Sequence, residues 1–276
     1  MSKEIAIIGL GWLGMPLAMA LQAQGQHVLG SKTTQDGVDA ARLSGIECYR
    51  LQLTPELDAD DDDVTHLLAA QTLIINIPPG RHNCDELFYI SAVQNLVDSA
   101  LAQGQVQHII FVSSTSVYGR GKGAVTEASG CYPETASARA LHELENWLHA
   151  LPGVRVDILR CAGLVGPGRH PARFLAGRQN LTDGAQGVNF VHLDDCIRAI
   201  ALLLECRLPQ GRIYNLCAPE HPIRSVFYPL ISRSLGVEPP TFLPDTNGKM
   251  RVIDGSLICR EQGFSYLYPD PAQMQF

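Results

Sequence analysis

Several things are scarce in this sequence, and each scarcity excludes something. Only two tryptophans stand among 276 residues, aromatic residues make up 7%, and Asp, Glu, Lys and Arg together make up 18%. The eight cysteines (48, 84, 131, 161, 196, 206, 217 and 259) form no CxxC pair, and the nine histidines form no HExxH. No Cys/His cluster has zinc spacing, so no metal site is expected. The cysteines read as buried free thiols of a reducing compartment, which sets the expectation of a cytoplasmic protein. A basic excess is also missing: 21 Lys and Arg face 28 Asp and Glu, a net charge of -7. Such a chain repels phosphate backbones, which excludes broad nucleic-acid binding but not a local basic pocket for a small anion. Long apolar runs are absent too. Ile5 to Leu21 is uncharged, but it is short for a membrane span and is interrupted by Gly9, Gly11, Gly14 and Pro16. Lys3 followed by this run imitates a signal peptide. The glycines have a better use, described next, so the expectation is mature protein from the start, with no export and no membrane.

What is present is an apolar chain, 46% hydrophobic, long enough for one large domain or two modest ones. A chain of this length buries roughly three quarters of its unfolded surface and needs no disulfide or metal to fold. Ile5–Ile8 is a short apolar run of buried-strand type. Gly9-Leu-Gly11-Trp-Leu-Gly14 follows, and then a helical stretch to about residue 24. Strand, glycine turn and helix are the context in which GxGxxG binds a dinucleotide. Gly9 permits the tight turn, Gly11 lets a pyrophosphate approach the backbone, and Gly14 lets helix and strand pack closely. The helix start, through Trp12 and Leu13, offers backbone N–H groups and a positive dipole end to the phosphates.

Strand-like and helix-like segments then alternate. Strands are expected at 27–32, 47–51, 72–77, 108–113, 154–160 and 213–216, and helices at 36–43, 84–103, 136–149 and 194–206. This pattern predicts an α/β chain: a Rossmann-type doubly wound parallel sheet with a smaller C-terminal substrate lobe. The expected division is a dinucleotide-binding domain over 1–160, to which 189–217 return, and a lobe built from 161–188 and 218–276. The acidic run Asp60–Asp63 reads as a solvated helix start, not a metal site.

The second strand carries the cofactor choice. In this fold an acid about 20 residues after the glycines usually binds the adenosine ribose and would repel a 2′-phosphate. Here Gly30-Ser-Lys-Thr-Thr supplies Ser31, Thr33 and Thr34 hydroxyls and the Lys32 charge, with no acid before Asp36. NADP(H) is therefore the expected cofactor, with NAD(H) the alternative. Asn76, Pro78 and Gly80 end the fourth expected strand, where the cofactor crevice lies. Arg81 and His82 follow within reach of phosphate or substrate. Arg169, His170, Arg173 and Arg178 form a basic segment suited to a phosphate or carboxylate, or else a solvated loop. His192 and Asp195 read as structural hydrogen-bonding residues.

Four segments together resemble the extended short-chain dehydrogenases/reductases, the NAD-dependent epimerase/dehydratase family. They are Ile109 to Gly119 (IIFVSSTSVYG), Leu159-Arg160 through Gly166-Pro-Gly168, Asn189 to Asp195 (NFVHLDD) and Ile213 to Leu216 (IYNL). A closer likeness to an atypical branch of that family lies in Gly30 to Gly37 (GSKTTQDG) and Gly163 to Pro171 (GLVGPGRHP). The resemblance implies a Ser/Thr, Tyr and Lys catalytic set, the last two as YxxxK. It places the family serine at Ser114, sets Ser113 beside the cofactor, and puts Thr135 in the Tyr slot and Arg139 in the Lys slot, with Glu143 four residues on. Arg139 keeps a positive charge for ribose hydroxyls, whereas an aliphatic hydroxyl is far less acidic than a phenol, which titrates near pH 10. Tyr118 and Tyr132 are nearby phenols, Tyr118 being the better fit to a packing role. Thr115 and Ser116 stand where the dehydratases carry acids, which excludes dehydration by that mechanism.

Two functions follow. One is an NADP(H)-dependent oxidoreductase or epimerase-like enzyme on a small anionic or nucleotide-linked substrate, with Ser114 as hydrogen-bond donor. An isomerisation with tightly held cofactor would need the same proton chemistry. The other is a catalytically silent NADP(H)-binding or sensing protein that lacks the Tyr-Lys pair. Family members often dimerise through the helices expected at 84–103 and 136–149, and both monomer and homodimer suit this sequence.

Overall fold

Short apolar runs of the Ile5–Ile8 kind become strands because a parallel sheet covered on both faces buries every side chain along its length. The computed structural model describes residues 4–80, 85–121, 123–206, 208–244 and 250–276. In chain order the elements are β1 (Glu4–Ile8), α1 (Gly14–Ala23), β2 (His27–Lys32), α2 (Gln35–Leu43), β3 (Glu47–Arg50), α3 (Asp61–Leu68), β4 (Thr72–Ile75), α4 (Glu86–Ala102) and β5 (His108–Ser114). A 3-10 turn at Thr115–Tyr118 leads to β6 (Gly123–Val125), α5 (Ala136–His149), β7 (Arg155–Cys161), β8 (Gly163–Val165), α6 (Ala172–Leu175), β9 (Phe190–His192) and α7 (Leu193–Glu205). The chain closes with β10 (Ile213–Leu216), α8 (Arg224–Leu235), β11 (Arg251–Ile253) and α9 (Leu257–Gln262), then a last 3-10 turn.

The main sheet is parallel and has seven strands in the order β10-β7-β5-β4-β1-β2-β3. In it Ile7 lies in register with Gly30 on β2 and with Ile74 on β4. The order reverses between β1 and β4, the place where doubly wound sheets open a ligand crevice at the carboxyl ends of their strands.

The residues cluster into two units. The first holds Met1–Val117, Pro133–Leu159 and Leu203–Ile213; the second holds Tyr118–Tyr132, Arg160–Leu202 and Tyr214–Phe276. This division differs from the expected one in two places. Residues 118–132, assigned to the dinucleotide domain, cluster with the second unit, and of 189–217 only 203–213 cluster with the first. The first unit is built on the buried strands β1 and β4 and on the inward faces of α1 (Leu17, Leu21), α4 (Val93, Leu96, Val97) and α5 (Leu144, Leu148). A buried leucine such as Leu96 contributes on the order of 2–5 kcal/mol against alanine. Four of its helices start on side-chain caps: Thr34 for α2, Asp60 for α3, Asp85 for α4 and Thr135 for α5. The Asp60 cap fits the reading of the acidic run as a helix start.

The second unit has its own core, in which Phe190 makes edge-on contacts with Phe227 and Tyr228 and lies among Val165, Val188 and Met274. Two short parallel pairs, β8 with β9 and β6 with β11, frame it. His192 and Asp195 pin its C-terminal segment, as structural residues should. His192 Nε2 bonds the Gln275 carbonyl at 2.7 Å, and Asp195 accepts from Leu267 N at 2.6 Å and from Tyr268 N at 3.1 Å.

Candidate dinucleotide site

The glycine turn after β1 is set by contacts within the first unit. Gly9 sits at φ +99, which a side chain would strain, and a methyl group there would meet the Asn76 carbonyl oxygen at 2.8 Å. A methyl on Gly14 would run into the Gly9 carbonyl oxygen. These two glycines are required by the fold. Gly11 differs: it is exposed, its φ is ordinary, and a methyl group on it would touch nothing within 4 Å. No neighbour in the described chain requires glycine there, whereas a pyrophosphate lying on the backbone would. Leu13 is buried and offers a ligand only its backbone, while Trp12 is half-buried. In the first turn of α1, Met15 N–H donates to the Gly11 carbonyl at 3.0 Å and Leu17 N–H to the Leu13 carbonyl at 3.1 Å, and Pro16 carries no N–H, so this helix start offers an anion chiefly the positive end of its dipole.

Two expected ligand residues serve the turn itself. Ser31, 2% exposed, accepts a hydrogen bond on Oγ from Gly9 N–H at 3.0 Å. Asn76 Nδ2 donates to the Gly9 carbonyl at 3.2 Å. Ser31 is therefore buried against the turn, not exposed at the strand end where a 2′-phosphate was expected to meet it. Lys32 is half-buried and Thr33 exposed, and the Lys32 stem passes 3.4 Å from where a methyl group on Gly37 would stand. Thr34 caps α2, its Oγ1 accepting from Gly37 N at 3.2 Å. At the end of β4, Pro78 and Gly80 are exposed. Arg81 and His82 fall outside the described residues.

At the end of β5 the two serines part. Ser113 is buried and its Oγ donates to Glu145 Oε1 of α5 at 2.5 Å, so its proton is committed to that helix. Ser114 is half-buried; its Oγ accepts from Ser116 N–H at 3.1 Å, which leaves its own proton to donate. Thr135 is not on a helix face with Arg139. It is the N-cap of α5, with Oγ1 accepting from Ala138 N at 3.2 Å. Arg139 donates through Nε (3.0 Å) and Nη2 (2.5 Å) to Glu86 on α4, and through Nη1 to the Glu134 carbonyl. Ser137 Oγ ties the same helix start to the Gly80 carbonyl at 2.8 Å. The start of α5, where the family pair was expected, fastens the β4–α4 connection.

The remaining candidates lie in the second unit. Tyr118, 2% exposed, donates to Asn215 Oδ1 and accepts from Arg160 Nη1, both at 2.8 Å. Burial pushes its phenol up against the opposing pull of the Arg160 charge. It is a packing residue, while Tyr132 is 74% exposed. Arg169 is half-buried, and Arg173 and Arg178 are exposed. His170 accepts on Nδ1 from Ala172 N at 3.1 Å and packs at a steep tilt against the Phe276 ring; burial first and Arg173 second hold its pKa below the ordinary imidazole value. Glu86 and Glu145 were missed from the sequence. Neither shows in a periodicity, because their partners are 53 and 32 residues away. Among the described residues no cluster of three or more His, Cys, Asp or Glu could hold a metal, and no helix is long and apolar enough to cross a membrane.

The model of the NAD dependent epimerase/dehydratase family matches residues 5–217. Protein YeeZ of Escherichia coli strain K12 is 58% identical over 274 residues, 99% of this chain and 98% of that one. Among solved structures, a functionally unknown conserved protein from Silicibacter pomeroyi aligns over 98% of this chain and 95% of its own, with a TM-score of 0.75 and 23% identity. The UDP-glucuronic acid 4-epimerase from Bacillus cereus in complex with NAD aligns over 99% and 95%, with a TM-score of 0.79 and 20% identity.

Proposed function

This chain belongs to the NAD dependent epimerase/dehydratase family, and from that premise we propose that it binds NADP(H) in the glycine turn and acts on a small nucleotide-linked or anionic substrate. The observation that carries the dinucleotide reading is Gly11, an open glycine between two that packing requires. Lys32, half-buried, and Thr33, exposed, follow at the end of β2, and no carboxylate stands between Gly14 and Asp36. That charge pattern favours a 2′-phosphate over a bare hydroxyl. When bound, the nicotinamide ring supplies hydride exchange. Ser114, whose Oγ already accepts from Ser116 N–H, donates its own proton to a substrate carbonyl or hydroxyl oxygen. A nucleotide-linked substrate is in keeping with the B. cereus relative, named for its action on UDP-glucuronic acid.

A second reading rests on a separate observation: Thr135 caps a helix and Arg139 is bound by Glu86, so neither presents the expected proton and ribose chemistry. On that reading the chain binds dinucleotide without hydride exchange. Calorimetric titration of cofactor-free protein with NADPH and NADH in parallel tests the common part, and tighter NADPH binding is expected. Equal affinities remove the NADP(H) preference, and no binding of either removes the reading. Stoichiometric oxidation of bound NADPH by a nucleotide-linked keto-sugar then separates enzyme from silent binder. An enzyme consumes the absorbance of the reduced nicotinamide, and a silent binder leaves it unchanged.

A further inference from the structure

We infer that Ser31 and Asn76 are positioning residues that hold the glycine turn for any dinucleotide, and that they take no part in choosing between NADPH and NADH. The inference rests on the dinucleotide reading above and deepens it. Gly9 is gripped at both of its backbone groups. Its N–H donates to Ser31 Oγ at 3.0 Å and its carbonyl accepts from Asn76 Nδ2 at 3.2 Å. The two side chains come from opposite neighbours of β1, since Ser31 is on β2 and Asn76 directly follows β4. The ladders continue into the turn on both sides. Leu10 N donates to the Ser31 carbonyl at 2.9 Å, and Asn76 N donates to the Ile8 carbonyl at 3.0 Å. Asn76 also fills the space beside the third glycine, with Nδ2 3.1 Å from where a Gly14 methyl would stand.

Fixing both groups of Gly9 fixes the peptide planes on either side of it, and with them the direction in which the next N–H groups point. A residue in a sparsely populated left-handed conformation persists only when its surroundings determine it. Here the determining groups are two neutral side chains behind the turn. Ser31, buried beneath the turn, is thereby removed from the discrimination that its position in sequence suggests. That task falls to Lys32 and Thr33, which follow at the end of β2.

The test compares the unaltered protein with Ser31→Ala, Asn76→Ala, Ser31→Thr and Lys32→Ala, each titrated calorimetrically with NADPH and with NADH after a melt establishes that it is folded. Ser31→Ala and Asn76→Ala are each expected to weaken both cofactors in parallel, by about three- to tenfold, the effect of one neutral hydrogen bond. The NADPH/NADH ratio should stay where it was. Ser31→Thr restores the acceptor oxygen and should recover both affinities, whereas Lys32→Ala should weaken NADPH alone. A ratio that moves in Ser31→Ala, or affinities that stay put in both alanine variants, overturns the inference and leaves the dinucleotide reading standing. Two independent alanine variants keep the test decisive if one of them fails to fold. An unaltered protein that binds neither cofactor removes reading and inference together.

Discussion

At the scale of single residues, the glycine turn separates what the fold requires from what a ligand requires. A methyl on Gly14 collides with the Gly9 carbonyl, while a methyl on Gly11 meets nothing. Gly14→Ala is therefore expected to cost about 1–3 kcal/mol of stability, the usual range for overpacking. Gly11→Ala should leave stability unchanged or raise it by up to about 1 kcal/mol, because it restricts the unfolded chain. Binding should respond in the opposite way: Gly11→Ala should weaken NADPH strongly in a titration although its melting temperature holds. A Gly11→Ala protein that binds NADPH as tightly as the unaltered one would show that the open glycine has no ligand above it. The same separation applies to the serines of β5. Ser114→Ala should remove a verified turnover with little change in melting temperature, since Ser114 Oγ makes only an exposed local contact with Ser116 N–H. Ser113→Ala should instead destabilise the protein by about 1–3 kcal/mol, by leaving a buried Glu145 oxygen short of its donor. The sequence could not separate the two serines, because adjacent strand residues face opposite ways and nothing local marks which face a helix carboxylate will cover.

At the scale of elements, the sequence was most legible where a single periodicity governs a whole segment. The edges of β2 at His27–Lys32, of β10 at Ile213–Leu216 and of α5 at Ala136–His149 are those expected from the apolar pattern. The second unit was least legible. Its pairs β8–β9 and β6–β11 are three residues a strand and lie among glycines and prolines, too short for alternation to register. The start of α5 shows a subtler limit. The resemblance put Thr135 and Arg139, four apart, in the Tyr and Lys slots, but a threonine preceding a helical run also reads as a cap. The structure realises the cap, and with it the Arg139–Glu86 pair. Thr135→Ala is accordingly expected to lower stability by about 1 kcal/mol through loss of the cap. Arg139→Gln should shift the melting temperature little, since both partners of the pair are partly solvated. Thermal melts measure the first two effects, and titration of the Arg139→Gln protein measures a third: NADPH affinity within about twofold of the unaltered value. A tenfold loss, about 1.4 kcal/mol, would mean that Arg139 turns from Glu86 to the ribose when cofactor binds.

At the scale of the whole molecule, the two units carry different titrations. In the second unit, burial and the Arg173 charge lower the pKa of His170, and burial lowers that of His221, opposed by its bond to the Val188 carbonyl and by Asp254. Both imidazoles are therefore held neutral relative to the unfolded chain, whose histidines titrate near pH 6.5. Below that value the unfolded chain binds more protons than the folded one, so stability present above about pH 6.5 is lost as pH falls towards the folded values. Two groups of the same unit act in the other sense. Burial raises the carboxyls of Asp195 and Glu127, which gives up stability as pH rises from about 4. The span just below pH 6.5 thus belongs first to the histidines. Protonation also removes an acceptor, since His170 Nδ1 takes the Ala172 N–H and a charged imidazole cannot. Hydrogen exchange at pH 7.5 and at pH 6.0, corrected for intrinsic rates, should then show added opening in the segments around 170–175 and 186–224. The double variant His170→Gln and His221→Gln should flatten that dependence while leaving exchange in β1 and β4 as it was. Equal acid sensitivity with and without the two imidazoles would place the titrating groups elsewhere in the fold.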